Sequence, residues 1–191
     1  MLSDDPDVEL MLALRDGDES AFDGLFARWA RPLLHYLERM VRDRGSAEEL
    51  VQETFARVYR ARERYVVESK FSTWLYRIAT NLALNELRRP SRRSPHASAE
   101  QQDESSKPLV ATSPPPDEVA HARRLGERVD VELERLPDRQ RMALWLSSVE
   151  GLSYSEIAEA LETTEKSVKA LVHRARAALI ERLGEERGRS T

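Results

Sequence analysis

The chain has 191 residues, 40% hydrophobic and 34% charged, which is enough to bury one core or two small ones and excludes disorder throughout. It holds no cysteine, so disulfides and thiolate metal sites are excluded. The formal net charge of -4 excludes a uniformly polyanion-binding surface, yet bases gather in two places, Arg88, Arg89, Arg92 and Arg93, and Lys166, Lys169, His173, Arg174 and Arg176.

The N-terminal run MLSDDPDVEL is acidic, without an apolar signal segment, and no run reaches membrane-spanning length, so a cytoplasmic location is expected. Almost every apolar series keeps three-four spacing rather than period two, which predicts an all-α chain. A short helix is predicted over Pro6 to Arg15, ended by Asp16-Gly17. Ser20 is expected to cap a second helix that turns Phe22, Leu25, Phe26 and Trp29 toward a core. Pro32 should interrupt or kink it, and Leu33, Leu37, Met40 and Val41 continue its stripe to Asp43, with Arg44-Gly45 closing it.

Ser46 and Glu49 have the spacing of a capping box for a third helix, SAEELVQETFARVYRARERY, burying Leu50, Val51, Phe55, Val58 and Tyr59. Glu48, Glu49, Gln52 and Glu53 remain outside. Carboxylates four apart can chelate a metal, but no histidine follows at the needed spacing and His35 lies on the preceding helix, so a solvated or partner-shaped acidic face is expected.

After the loop Val66 to Ser69, FSTWLYRIATNLALNELRRPSRR predicts a helix with Phe71, Trp74, Leu75, Ile78, Ala79 and Leu82 as its stripe, ended by Pro90. Arg77, Asn81, Asn85, Arg88 and Arg89 fall off that stripe. Amides can bond base edges and guanidiniums can take phosphates, although exposed amides and a helix C-terminus favoured by arginine account for the same residues. Pro90 to Pro116, rich in Ser and Pro, reads as a flexible linker able to span roughly 90 Å when extended.

A mixed-charge helix is predicted from Asp117 to Arg135, carrying Val119, Leu125, Val129 and Leu133. Leu136-Pro137 ends it, and Asp138 is expected to cap the next, which holds Met142, Leu144, Trp145, Leu146 and Val149. Ser153 and Glu156 then form a capping box for a short helix with Ile157, Ala158 and Leu161 on one face. Glu162-Thr163-Thr164 breaks the period, and Thr164 can cap a last helix from Glu165. That helix carries Val168, Leu171, Val172, Ala175, Leu179 and Leu183 inward, with Lys166, Lys169, Ala170, His173 and Ala177 on the opposite face and Arg174 and Arg176 beside it. Two helices joined this way are either a helix-turn-helix, whose second helix enters the DNA major groove, or an ordinary hairpin with a solvated basic face.

SAEELVQETFARVYRA, FSTWLYRIATNLALNELRR, a Pro/Ser linker, LPDRQRMALWLSSVEGLSYSEIAEAL and KSVKALVHRARAAL resemble, in sequence and order, the two conserved regions of extracytoplasmic-function (ECF) sigma factors of bacterial RNA polymerase. The resemblance implies two small helical domains, region 2 over 1–89 and a helix-turn-helix region 4 over 117–184, joined by a flexible linker over 90–116 and followed by a tail over 185–191. It implies a non-enzymatic initiation subunit that binds core RNA polymerase and promoter DNA, under an anti-sigma factor or similar regulator, with no cofactor, metal or membrane insertion.

By that resemblance Glu49, Gln52 and Glu53 meet the polymerase. Lys70, Arg77, Asn81, Asn85, Arg88 and Arg89 engage the -10 element, where a flipped base enters a pocket by the preceding loop and Asn81 matches a base-reading position. Trp74 matches a family aromatic, although its stripe position also suits core packing. Lys166, Ser167, Lys169, Ala170, His173, Arg174 and Arg176 lie near the -35 groove or its phosphates. Two departures stand out: many relatives have Gly or another small residue where this chain has Glu162, and many have Arg where it has Leu171, so that the chain either reads a different -35 sequence or uses Leu171 for packing or a methyl contact. Two other function classes are open to these residues, a conventional repressor or activator with an N-terminal sensing module, and a helical hydrolase using Glu49, Glu53 and His35.

Overall fold

The computed structural model describes residues 5–89, 126 and 128–185, and the described residues form helices and connecting turns without strands. The Pro90 to Pro116 linker, Arg92 and Arg93, the start of the helix expected from Asp117 and most of the 185–191 tail lie outside the described residues. The N-terminal half is α1 (Pro6–Arg15), α2 (Ser20–Val41), α3 (Arg44–Ala61), a 3₁₀ turn (Arg62–Arg64) and α4 (Phe71–Arg88). The C-terminal half is α5, helical over 128–134, then α6 (Asp138–Ser148), α7 (Tyr154–Ala160) and α8 (Glu165–Glu185).

Several helix starts differ from the sequence expectation, and each for a local reason. Ser20 begins α2 instead of capping it, because Asp18 Oδ1 accepts both the Ser20 N–H at 3.0 Å and its hydroxyl at 2.6 Å. Pro32 does not break α2, which runs unbroken past it while Leu25, Leu33, Tyr36 and Leu37 are buried on either side. Arg42, in the left-handed region at φ 58°, stops α2. Asp43, not Ser46, then caps α3, accepting the Ser46 N–H at 2.8 Å, so Arg44-Gly45 opens a helix and does not close one. Asp138 is the first residue of α6, its carboxylate engaged by Arg141 at 2.8 Å. The Ser153–Glu156 capping box is present in both directions, and Thr164 Oγ1 accepts the Ser167 N–H at 3.2 Å at the start of α8.

The N-terminal core gathers Met11, Leu25, Leu33, Leu37, Met40, Phe55, Val58, Phe71, Leu75 and Ala79, all at most 2% exposed. At roughly 1.5–3 kcal/mol for each large apolar side chain, this burial dominates the stability of the half. Inside it Tyr36 bonds Thr80 at 2.7 Å and meets Tyr76 edge-on at 5.3 Å. Phe26 was expected inside but is 42% exposed, packed on Phe55 at 4.8 Å on the outer face of α2 and α3. The C-terminal core is built by Leu136, Met142, Ala143, Leu146, Ile157, Ala160, Leu161, Val168, Val172 and Ala175.

The two halves pack together, α4 against α7 and α2 against α6. Arg141, on α6, is 2% exposed, and its guanidinium donates to the carbonyls of Met40 at the end of α2 (3.0 Å) and of Leu136 (3.3 Å). Arg39 of α2 pairs with Asp130 of α5 at 2.7 Å. A buried guanidinium is costly unless its donors are met: the two Nη groups of Arg141 reach carbonyls left over at or beyond helix ends and the Asp138 carboxylate, while its buried Nε has no partner among the described residues.

Candidate nucleic-acid interface

On α4 and its entry, Lys70, Trp74, Arg77, Asn81, Asn85 and Arg88 recur at intervals of three and four, so they share one face. Asn85, Arg88 and Arg89 at the far end are exposed, Arg89 paired with Glu86 at 2.9 Å. At the near end a cavity of about 220 Å³ opens beside the loop 65–70, lined among others by Arg64, Tyr65, Ser69, Trp74 and Arg77. Trp74 serves both core and cavity: it packs on Phe71 and on Tyr65, at ring distances of 6.0 and 5.1 Å, and is one wall of the pocket. The Tyr65 hydroxyl is buried without a hydrogen-bond partner among the described residues. Burial, aided by the Asp5 carboxylate, pushes that phenol up to about 12.

The same face of α4 is met by acids from α7 and its flanks, which the sequence reading did not pick out. Lys70 Nζ pairs with Glu156 at 2.8 Å, Ser69 Oγ donates to Glu159 at 2.8 Å, and Arg77 lies 3.7 Å from Glu159. Asn81 Nδ2 donates to Glu162 at 2.9 Å. Glu150 accepts from the Tyr76 hydroxyl, and from Trp145 Nε1 at 2.9 Å. The hydrogen bond to Glu156 raises the Lys70 ammonium above its ordinary value. Burial pushes Glu156 up, but hydrogen bonds from Lys70 and Ser153 outweigh it and hold the carboxyl below the usual carboxylate range. Burial, with donation to Glu150, raises the Tyr76 phenol strongly. The only sequence signal for this contact was acids spaced at 150, 156, 159 and 162 against a basic stripe at 70, 77 and 88.

Helices α7 and α8 form the helix-turn-helix. Lys166, Lys169, His173, Arg174 and Arg176 are exposed along α8, with no ion pair among the described residues. Ser167 is engaged in the cap and Ala170 is half-buried. Leu171 is partly buried and packs against the core, as its place on the apolar stripe predicts. Glu162, in the turn, holds φ at +49°, the left-handed conformation that glycine adopts without penalty.

On α3, Glu49 and Gln52 are exposed and Glu53 is half-buried. Glu53 is bonded to Arg57 at 2.8 Å and Arg60 at 3.2 Å, and the Arg57 hydrogen bond holds its carboxyl below the usual range. His35 is exposed on α2. Among the described residues no three His, Cys, Asp or Glu side chains converge as a metal site, and no helix is long and apolar enough to cross a membrane.

A four-helix half with a basic, amide-bearing helix, joined to a helix-turn-helix, defines a two-part DNA-binding protein. Sigma-70 region 2 matches residues 25–93 and sigma-70 region 4 matches residues 126–179. The RNA polymerase sigma-H factor of Pseudomonas aeruginosa is 34% identical over 94% of this chain and 94% of its own length. The ECF RNA polymerase sigma-E factor of Escherichia coli K12 is 34% identical over 91% of this chain and 92% of its own. The fold is shared with the sigma factor RpoE of Bartonella quintana, solved with the anti-sigma factor NepR, at a TM-score of 0.66 and 20% identity, covering 85% of this chain and 96% of that one. The chain belongs to the ECF RNA polymerase sigma factors, transcription regulators that bind core RNA polymerase and direct it to promoters through -10 and -35 elements.

Proposed function

We propose that the α4 face carries -10 recognition, on the strength of one observation: a cationic and amide stripe running from the mouth of an aromatic-walled cavity. A flipped base costs a few kcal/mol to unstack, and the Trp74 and Tyr65 rings lining the cavity offer stacking in return. Asn81 reads an adjacent base edge, and Lys70, Arg77, Asn85, Arg88 and Arg89 hold phosphates. On α8, Lys166, Lys169, His173, Arg174 and Arg176 meet the -35 groove, Ser167 and Ala170 standing near the backbone.

Glu49, Gln52 and Glu53 dock on core polymerase, and exposed Phe26 beside Phe55 supplies an apolar anchor on the neighbouring helix. Region 2 over 1–89 and region 4 over 117–184 act as separate recognition modules. The protein works in the cytoplasm, has no catalytic activity of its own, and answers to an anti-sigma factor that covers the polymerase-docking face.

The test is run-off transcription with purified core enzyme. The expected result is initiation at one defined start site, with weak duplex binding by the protein alone, and a promoter preference altered by Asn81→Ala. Tight duplex binding without core and no start-site selection with it would assign the chain to conventional repressors instead.

A further inference from the structure

A second cavity, of about 420 Å³, forms where α3 runs into the 3₁₀ turn, lined by Arg57, Arg60, Ala61, Glu63 and Arg64. Ala61 and Arg64 also line the aromatic-walled cavity beside the loop 65–70, so the two adjoin along a shared wall. This second lining has no aromatic ring and no large apolar side chain, and so gives a base nothing to stack on. What it presents is guanidinium. Arg57, Arg60 and Arg64 are exposed and recur at intervals of four and three, which sets them in a row. The neighbouring acids do not cancel that row. Arg57 at 2.8 Å and Arg60 at 3.2 Å share the single carboxylate of Glu53, Glu63 lies 3.5 Å from Arg62, and Arg64 has no ion pair among the described residues. Arg62 is held out of the row: its guanidinium lies over the Tyr59 ring at 4.1 Å and donates to the Tyr59 carbonyl at 2.9 Å. That contact fixes the 3₁₀ turn with Arg64 at the junction of the two cavities.

We infer that Arg57, Arg60 and Arg64 form a phosphate track for the unpaired strand as it leaves the base pocket, with Arg64 taking the first phosphate beyond the captured base. The track rests on the assignment of the -10 face to α4. A base turned into the pocket brings its backbone to the pocket mouth, where the strand has α4 on one side and Arg64 on the other. Held on both sides of the flipped nucleotide, the strand is hindered from restacking. Guanidinium suits the task because its planar fork matches phosphate oxygens. Phosphate contacts fix position without reading sequence, so the track stabilises opening at any promoter and adds nothing to base preference. Arg57 and Arg60 are partly neutralised by Glu53, and Arg64 therefore carries the largest share.

The experiment uses holoenzyme assembled from the full chain and core polymerase, on the promoter that run-off transcription defines. The chain has no cysteine, so Glu63→Cys, exposed beside the row, and Lys70→Cys, exposed at the entry to α4, each accept one photoactivatable aryl azide. Lys70→Cys should crosslink one strand within the opened -10 element, and Glu63→Cys the same strand at adjoining nucleotides outside it. In unlabelled holoenzyme Arg64→Ala should shorten the lifetime of heparin-resistant complexes about threefold and lower the salt slope by about 0.7, the value for one single-strand phosphate. Core affinity and promoter preference should match the parent, and Arg64→Lys should restore most of the lifetime. Crosslinking from Lys70→Cys without crosslinking from Glu63→Cys, or an unchanged lifetime in Arg64→Ala, overturns the track and leaves the -10 assignment standing. A loss of core affinity in Arg64→Ala assigns the row to polymerase docking and overturns the track as well. Crosslinking from neither position overturns the -10 assignment, and the track falls with it.

Discussion

Glu162 places a strain and a hydrogen bond on one residue, and two substitutions separate them. At φ +49° a side chain costs about 1–2 kcal/mol relative to the right-handed helix region. Its hydrogen bond to Asn81 is exposed and contributes about 0.5 kcal/mol, the low end for a neutral donor. Glu162→Ala loses the bond and keeps the strain, so it should be less stable by about 0.5 kcal/mol. Glu162→Gly loses the bond and most of the strain, and after the extra chain entropy a glycine gives up on folding it should exceed the alanine variant by about 1 kcal/mol. For a chain of this size that is a difference of about 2–4 °C in Tm, readable by circular dichroism and by urea denaturation. A glycine variant no more stable than the alanine variant would refute the strain.

Arg141→Met leaves the Met40 and Leu136 carbonyls without their donor and should cost about 2–3 kcal/mol in urea denaturation; a loss under about 0.5 kcal/mol would mean that those carbonyls find other partners. Gln52→Ala and Glu53→Ala should each weaken core-polymerase binding several-fold by fluorescence anisotropy with an unchanged circular dichroism spectrum. If both bind as the parent does, this face is not the dock. Lys169→Ala should weaken -35 duplex binding across sequences and lower the salt slope by about 1, and an unaltered slope rules out a phosphate contact.

The Lys70–Glu156 contact carries a pH dependence whose sign follows from both partners. The Glu156 carboxyl is lowered, so its contribution is full above the ordinary glutamate value of about 4.3 and is lost as pH falls through the depressed one. The Lys70 ammonium is raised, so its contribution is full below about 10.4 and lost as pH rises through the raised value. Ser153 and Lys70 face Glu156, while Glu156 and the Asp5 carboxylate face Lys70. In urea denaturation the stability lost by Lys70→Ala should therefore be largest between those limits and shrink as the medium is acidified below the ordinary glutamate value; a loss that does not change on acidification removes these charges from the contact.

The sequence by itself determined the elements and the family, because both rest on local information. Three-four spacing placed α1, α4 and α8 to within a residue or two, and the Ser153–Glu156 box marked the start of α7. It misassigned caps where two acceptors compete within four residues, as Asp43 does with Ser46 and Asp18 with Ser20, since only the backbone path decides which oxygen faces the free N–H groups. It placed Phe26 inside because helical periodicity alone does not say how wide the buried arc is.

Only the tertiary structure decided how the two halves meet. Arg141 reaching the end of α2, and the acids at 156, 159 and 162 settling on Lys70, Ser69, Arg77 and Asn81, join residues about 80 to 100 positions apart. No local pattern carries such a pairing: opposite charges on two amphipathic faces are compatible with many partners, and packing geometry selects one. The sequence read α4 as an open basic face, and the structure shows that face met by the chain's own carboxylates.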